Sequence, residues 1–235
     1  MDDANVYSPQ WFRFFHVGIP AGRTEREVAF LTRVFPRPDF TRVLDLCCGM
    51  GRHARALATL GYEVTGVERD AEAVAAARAQ AGGPTYVQVD VREYRPAVGA
   101  FDAVVIMSQS FGYFDAKTNG RLLGAWAEAL RPGGRLVLDL WNPAFFLPRQ
   151  GWRTFDLSGG SVRETTRMEN GRLFSRLDYP DGGYDAFEFQ TFSAEEMARF
   201  AAPHGLALTV ACTDFDPDRP PSADHPRVQF VLAHE

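Results

Sequence analysis

Between Val43 and Leu57 the chain reads VLDLCCGMGRHARAL, an apolar strand pattern with an aspartate, Asp45, where another Val or Leu would pack. A glycine turn follows. Gly49 and Gly51 stand between the carboxyl end of that strand and the start of a helix, where backbone can approach a ligand closely and offer it unpaired N–H groups. A dinucleotide pyrophosphate is one ligand of such turns, and Gly49-x-Gly51-x-x-Ala54 meets the looser form of that fingerprint. Yet Asp45, Cys47 and Cys48 precede Gly49 where a dinucleotide site has an uninterrupted apolar strand.

The elements that must position this turn alternate through the first 140 or so residues. EREVAFLTRVF has helical spacing, TRVLDLCC reads as a buried strand, and GRHARALATLG as a helix closed by Gly61. Strand YEVTGVE, helix DAEAVAAARAQAGG with Asp70 as N-cap, strands TYVQVD and FDAVVIM, helix TNGRLLGAWAEALRPGG and strand RLVLDLW follow. Strands separated by helices of this length predict a parallel, doubly wound α/β sheet. After Trp141 the rhythm changes: residues 160–192 alternate polar and apolar around the turns Glu169-Asn170-Gly171 and Asp181-Gly182-Gly183, as an antiparallel meander would. Helix and strand resume with SAEEMARFAAPHG, LALTVACTDF and RVQFVLAHE.

In open α/β sheets ligands sit at the carboxyl ends of the strands. MSQSFGYF brings Ser108, Gln109 and Tyr113 there after the fourth strand, and Trp141 and Asn142 follow the fifth. Packing under the next helix is the alternative for Phe111, Tyr113 and Phe114. His53 lies in the first turn of a helix, where it either meets a ligand or faces solvent.

The stretch VLDLCCGMGRH resembles motif I of the class I S-adenosylmethionine-dependent methyltransferases, with Cys47 where the first glycine usually stands. Glu68 at the end of the second strand, Asp90 in VQVDV and the run LRPGGRLVLDL resemble the family's later landmarks in the right order. WFRFF, SFGYF, DLWNP and DFDPDRPPSADHPRVQFVLA are similar to bacterial small-molecule methyltransferases with a late β insertion, a layout shared by sugar amine N,N-dimethyltransferases. The resemblance implies a seven-stranded, mostly parallel Rossmann-like sheet with an antiparallel β insertion. It implies an N-terminal helical lid over residues 1–22, a cofactor-binding core over 23–142, the insertion over 143–192, and a last helix and two strands over 193–235.

It also implies S-adenosyl-L-methionine as cofactor, held by Asp45, Cys47, Gly49, Gly51, Glu68, Arg69, Asp90, Val91 and Met107, with Glu68 on the ribose hydroxyls and Asp90 near adenine. The acceptor would meet Tyr7, Trp11, Ser108, Trp141 and Asn142, with His16 completing the lid, and Tyr113, His53 and Gln109 are the candidates for catalysis. Methyl transfer asks mainly for alignment and exclusion of water, and a base only when the nucleophile arrives protonated. The expected activity is transfer of a methyl group to N or O of a small molecule, in secondary metabolism. A domain that binds the cofactor without turnover, and an NAD(P)-linked oxidoreductase, are the alternatives.

Bulk properties narrow the partners. At 235 residues and 46% hydrophobic content the chain can form one large domain with an insert, and its net charge of −5 gives no footprint for a nucleic-acid backbone. Three cysteines form neither a disulfide framework nor zinc-site spacing, so no metal is expected. MDDANVYSPQWFRFF is no signal peptide and no apolar run is long enough for a membrane span, so the expectation is a cytoplasmic protein. The β insertion offers a surface on which two copies could pair.

Overall fold

Apolar runs bounded by turn residues become the strands of two sheets. The computed structural model describes residues 5, 7–16, 20, 22–157 and 159–235, without the side chains of Phe12 and His16. A parallel series, β1 (Arg42–Leu46), β2 (Glu63–Glu68), β3 (Thr85–Gln88), β4 (Phe101–Ile106) and β5 (Leu130–Trp141), forms the larger sheet. The smaller sheet is an antiparallel meander of β6 (Gly151–Leu157), β7 (Gly160–Glu169), β8 (Arg172–Asp178) and β9 (Tyr184–Gln190). β10 (Leu206–Cys212), at the edge, pairs antiparallel with β11 (Arg227–His234), which joins the larger sheet antiparallel to β5, giving the order β10-β11-β5-β4-β1-β2-β3.

Because β1 lies between β2 and β4, the chain winds one way through β2 and β3 and the other way through β4 and β5. The crevice outside the carboxyl ends of β1 and β4 is therefore the topological switch point, where such sheets take their ligands.

Helices cover both faces, which is why the central strands read as continuous apolar runs. After the short α1 (Pro9–Trp11), α2 (Arg23–Val34), α3 (Arg52–Thr59) and α4 (Ala71–Arg78) pack with Val43, Val105 and Val137 on one face. On the other, α5 (Ala116–Ala129) and, beyond the short α6 (Pro143–Phe146), α7 (Ala194–Ala201) pack with Leu44, Val104, Ile106 and Leu138. Local signals set the helix starts: Asp70 and Asp115 accept from the N–H groups of Ala73 and Thr118, and Ser193 with Glu196 forms a capping box.

Two elements differ from the sequence expectation. The helix read through Gly134 stops at Ala129, because Leu130 is extended and Pro132 disfavours helix in the residue before it. β6 was not anticipated: it is an edge strand, exposed along most of its length, so its sequence carries no alternation.

A third core holds the insertion and the N-terminal segment together. Val162, Leu173, Leu177, Phe187 and Phe189 line one face of the meander, and Phe14 and Phe146 bury against them with Tyr7, Trp11 and Trp141 alongside. Asn5 extends the edge, its N–H donating to Ala186 O (3.2 Å) and its Oδ1 accepting from Glu188 N (2.8 Å). No helix of the described residues is long and apolar enough to cross a membrane.

Candidate cofactor and acceptor site

The turn after β1 is built from left-handed residues, Cys47 (φ 57°), Gly49 (φ 53°) and Gly51 (φ 74°), the last capping α3. A Cβ at Gly51 would strike the Tyr86 ring, so glycine is needed there for space as well as for φ. At Gly49 a Cβ would meet nothing within 4 Å, which marks the open side of the turn.

Glu68, at the carboxyl end of β2, ties this turn to its neighbour. Its Oε2 accepts from Gly49 N (3.0 Å) and its Oε1 from Arg69 N (2.8 Å) and Asp70 N (2.9 Å). Beneath the turn Asp45 is 1% exposed, and its Oδ2 has no hydrogen-bond partner. Burial pushes its pKa up to about 7, against the opposing pull of the Arg52 charge and the Ala54 N–H. Asp90 is engaged by Arg92, which donates from N (2.8 Å), Nε (3.0 Å) and Nη2 (2.7 Å) and draws its pKa down. Val91 is half-buried against the core, Met107 is buried, and the exposed Arg69 reaches Asn5 O (3.4 Å).

Across the crevice, the loop after β4 brings Ser108, Gln109 and Tyr113 to the same place. Ser108 Oγ accepts from Arg52 Nη2 (3.1 Å), and Cys47 Sγ lies 4.0 Å from Ser110 O, so the two loops touch. The Tyr113 and Tyr7 hydroxyls are hydrogen-bonded to each other, and Asn5 Nδ2 donates to Tyr113 O (3.1 Å). Rings continue from there: Trp11 stands 4.4 Å and Phe187 5.1 Å from Tyr7, Phe189 5.1 Å from Tyr113, and Trp141 6.3 Å from Phe189, centroid to centroid. The His16 side chain lies outside the described residues.

Two candidates are placed elsewhere. Rather than facing solvent or a ligand, His53 is buried with its Nε2 2.8 Å from Glu27 Oε2, and desolvation lowers its pKa to about 4. Asn142 caps α6 and donates to Ser222 O (2.7 Å) and His225 O (2.8 Å), which leaves its amide no free face for an acceptor. Sequence reasoning passed over Asn5, Glu27, Arg52, Asp139 and Arg227. Of these only Asp139 carried a signal, an acid within the apolar run LVLDLW, the same anomaly as Asp45.

Residues 43–134 match a family model described as a methyltransferase domain. The chain carries a methyltransferase domain. Its fold is that of the class I S-adenosylmethionine-dependent methyltransferases, as two solved structures show. The CcbJ methyltransferase of Streptomyces caelestis aligns with a TM-score of 0.76 at 22% identity, covering 92% of this chain and 90% of that one. CalS10 of Micromonospora echinaspora, an amino pentose methyltransferase solved with S-adenosylmethionine, covers 100% of both chains with a TM-score of 0.70 at 22% identity. A putative methyltransferase of Bacillus subtilis, YqeM, is 28% identical over 217 residues, 82% of this chain and 84% of that protein. Other curated relatives are matched over about half their length, 47% and 46%.

S-adenosylmethionine, the cofactor of this fold, fits the residues present. It brings an ammonium and a sulfonium, and the turn offers open space over Gly49 and an unpartnered carboxyl oxygen at Asp45. Among the described residues no three His, Cys, Asp or Glu side chains converge as metal ligands would.

The left-handed Cys47 gives a first test. A Cβ in that conformation costs roughly 1 kcal/mol, which glycine would not incur. Cys47→Gly is expected to keep S-adenosylhomocysteine affinity within about tenfold, or roughly 1.4 kcal/mol, by calorimetry. A folded variant that no longer binds would give the thiol a direct role.

Proposed function

We propose that the chain transfers a methyl group from S-adenosylmethionine to the nitrogen of a small-molecule amine. S-adenosylmethionine supplies an already activated methyl group, so the protein's part is to align the acceptor and exclude water. The turn residues Cys47, Gly49 and Gly51 with Asp45 and Glu68 would hold the cofactor, and Tyr7, Trp11, Ser108, Gln109, Tyr113 and Trp141 would face the acceptor. In this division residues 23–142 and 193–235 form the cofactor-binding core, and residues 1–22 and 143–192 cover the acceptor together with Ser108, Gln109, Tyr113 and Trp141 at the rim of that core.

What supports nitrogen over oxygen is the protonation of the groups around the crevice. Burial raises the pKa of Tyr7 to about 12 and pushes Tyr113 and Cys47 well above their usual range. All three are neutral at pH 7. His53 is turned to Glu27, and Asp45 lies buried below the turn. A hydroxyl acceptor must give up its proton during transfer, and among the described side chains on the acceptor side of the crevice none is an exposed base; a neutral amine needs none. The fold shared with an amino pentose methyltransferase points the same way.

Incubation with methyl-labelled cofactor and matched panels of primary amines and alcohols tests this. Label is expected on amines alone, and labelled ethers would overturn the choice of nitrogen. In the same assay Tyr113→Phe breaks the hydroxyl pair. It is expected to lower kcat at least about tenfold, roughly 1.4 kcal/mol of barrier, with cofactor affinity unchanged. An unchanged kcat would leave Tyr113 a packing residue.

The same reading places the protein in the cytoplasm, in keeping with its free cysteines Cys47, Cys48 and Cys212, and apart from nucleic acid, in keeping with its net charge of −5. It also has two copies meeting at the insertion, whose outer face stacks Arg163, Arg167 and Arg176 over Trp152, Phe174 and Tyr184.

A further inference from the structure

We infer that Asp139 is a positioning residue that holds the Ser108–Gln109 turn in the shape that joins the cofactor loop to the acceptor side of the crevice. The inference rests on the methyltransferase reading of that crevice. Ser108 (φ 56°) and Gln109 (φ 62°) are consecutive left-handed residues with side chains, an arrangement that persists only where surrounding structure enforces it. The enforcing group is on the next strand. Asp139, fully buried in β5, accepts from Ser108 N at its Oδ2 (2.9 Å) and from Gln109 N at its main-chain oxygen (2.9 Å). One residue thus fixes both N–H groups of the turn.

Asp139 is itself held from behind. Its Oδ1 accepts from Gln229 Nε2 (2.7 Å) and Arg227 Nε (2.9 Å), both on β11, and Arg227 in turn pairs with Glu27 (3.5 Å). A buried carboxylate with partners at both oxygens has little freedom to turn. What it positions faces the reaction: Ser108 takes the hydrogen bond from Arg52, the first residue after the glycine turn, and Ser110 O lies by Cys47. Release of the turn would therefore change the spacing between the cofactor loop and Tyr113, while the contacts of Glu68 and Gly49 would stay as they are.

Asp139→Asn tests this, since an amide cannot accept at both ends. Three measurements are made on it: kcat and KM for an amine acceptor, S-adenosylhomocysteine affinity by calorimetry, and amide hydrogen exchange. The expected result is a fall in kcat of at least about thirtyfold, cofactor affinity within about threefold of wild type, and exchange at residues 108–112 faster by about tenfold or more. A merely structural role would lower the melting temperature and leave kcat and the exchange of this turn unmoved, which would overturn the inference. Should Asp139→Asn not fold, Gln229→Met removes one rear donor and leaves the charge pair with Arg227 in place. It is expected to lower kcat and quicken exchange at 108–112 in the same direction, and wild-type values of both would overturn the inference. If the wild-type protein methylates no amine, the proposed function fails, and the exchange of residues 108–112 in these variants still decides what Asp139 does.

Discussion

Glu68→Ala is expected to weaken S-adenosylhomocysteine binding about thirtyfold to a thousandfold, or roughly 2–4 kcal/mol, the largest single loss at this site. Two effects add. The carboxylate would accept from the cofactor's ribose, and the geometry gives it a second task that the sequence did not suggest, because it already gathers the N–H groups of Gly49, Arg69 and Asp70. Three donors take three of the roughly four lone-pair positions of a carboxylate, and at least one stays open to a ligand hydroxyl. Removing it frees the glycine turn as well as the ribose contact. Glu68→Gln separates the two: it retains one oxygen but sets an NH₂ group against a backbone donor, so affinity should fall to an intermediate value. A Glu68→Ala protein that binds as tightly as wild type would remove Glu68 from the site.

The parts of this architecture that follow from local rules were legible in the chain. The apolar runs of β1, β4 and β5 and the cap at Asp70 are short-range signals, and they set the sheet and its switch point. The glycine turn was legible too, since only residues tolerant of positive φ can make it. What could not be read depends on partners far away in sequence. Glu27 sits in a stretch whose periodicity reads as the polar side of a helix, yet it is buried because Arg52 and His53 of α3 come to meet it. That encounter also turns His53 from the crevice. Asn142 was read as a rim residue from its place after β5, but the carbonyls that engage it lie about eighty positions later, in the loop before β11. Tyr7 was picked out as a lid residue; that its hydroxyl would meet that of Tyr113 is a property of the packed insertion, which no pattern near either residue contains.

Cofactor binding is expected to weaken as pH falls below 7, approaching about tenfold per unit and so about fiftyfold between pH 7 and pH 5. The cause is Asp45. Burial raises its pKa to about 7 in the free protein, so below that pH most molecules carry a neutral carboxyl under the turn. A bound ammonium or sulfonium favours the ionised form, so binding at low pH must release a proton, and affinity drops as protons compete. Above pH 7 the group is already charged and affinity should be flat. The same residue acts on stability in the opposite sense. Its folded pKa lies above its unfolded value near 3.8, so the unfolded chain ionises first as pH rises, and the contribution of the neutral form, full below about pH 4, is lost on the way to 7 at roughly 1.4 kcal/mol per unit. His53 opposes that trend, since its folded pKa of about 4 lies below the unfolded 6.5, and stability is lost as pH falls between those values. A melting curve alone would therefore show the two nearly offset over pH 4 to 6.5, whereas the binding isotherm isolates Asp45, because His53 stays neutral in the folded protein above about pH 5. Asp45→Asn supplies the control. It cannot ionise, so its S-adenosylmethionine affinity should be weaker than wild type at pH 8 and nearly independent of pH down to 5; a wild-type slope in that variant would assign the proton to another group.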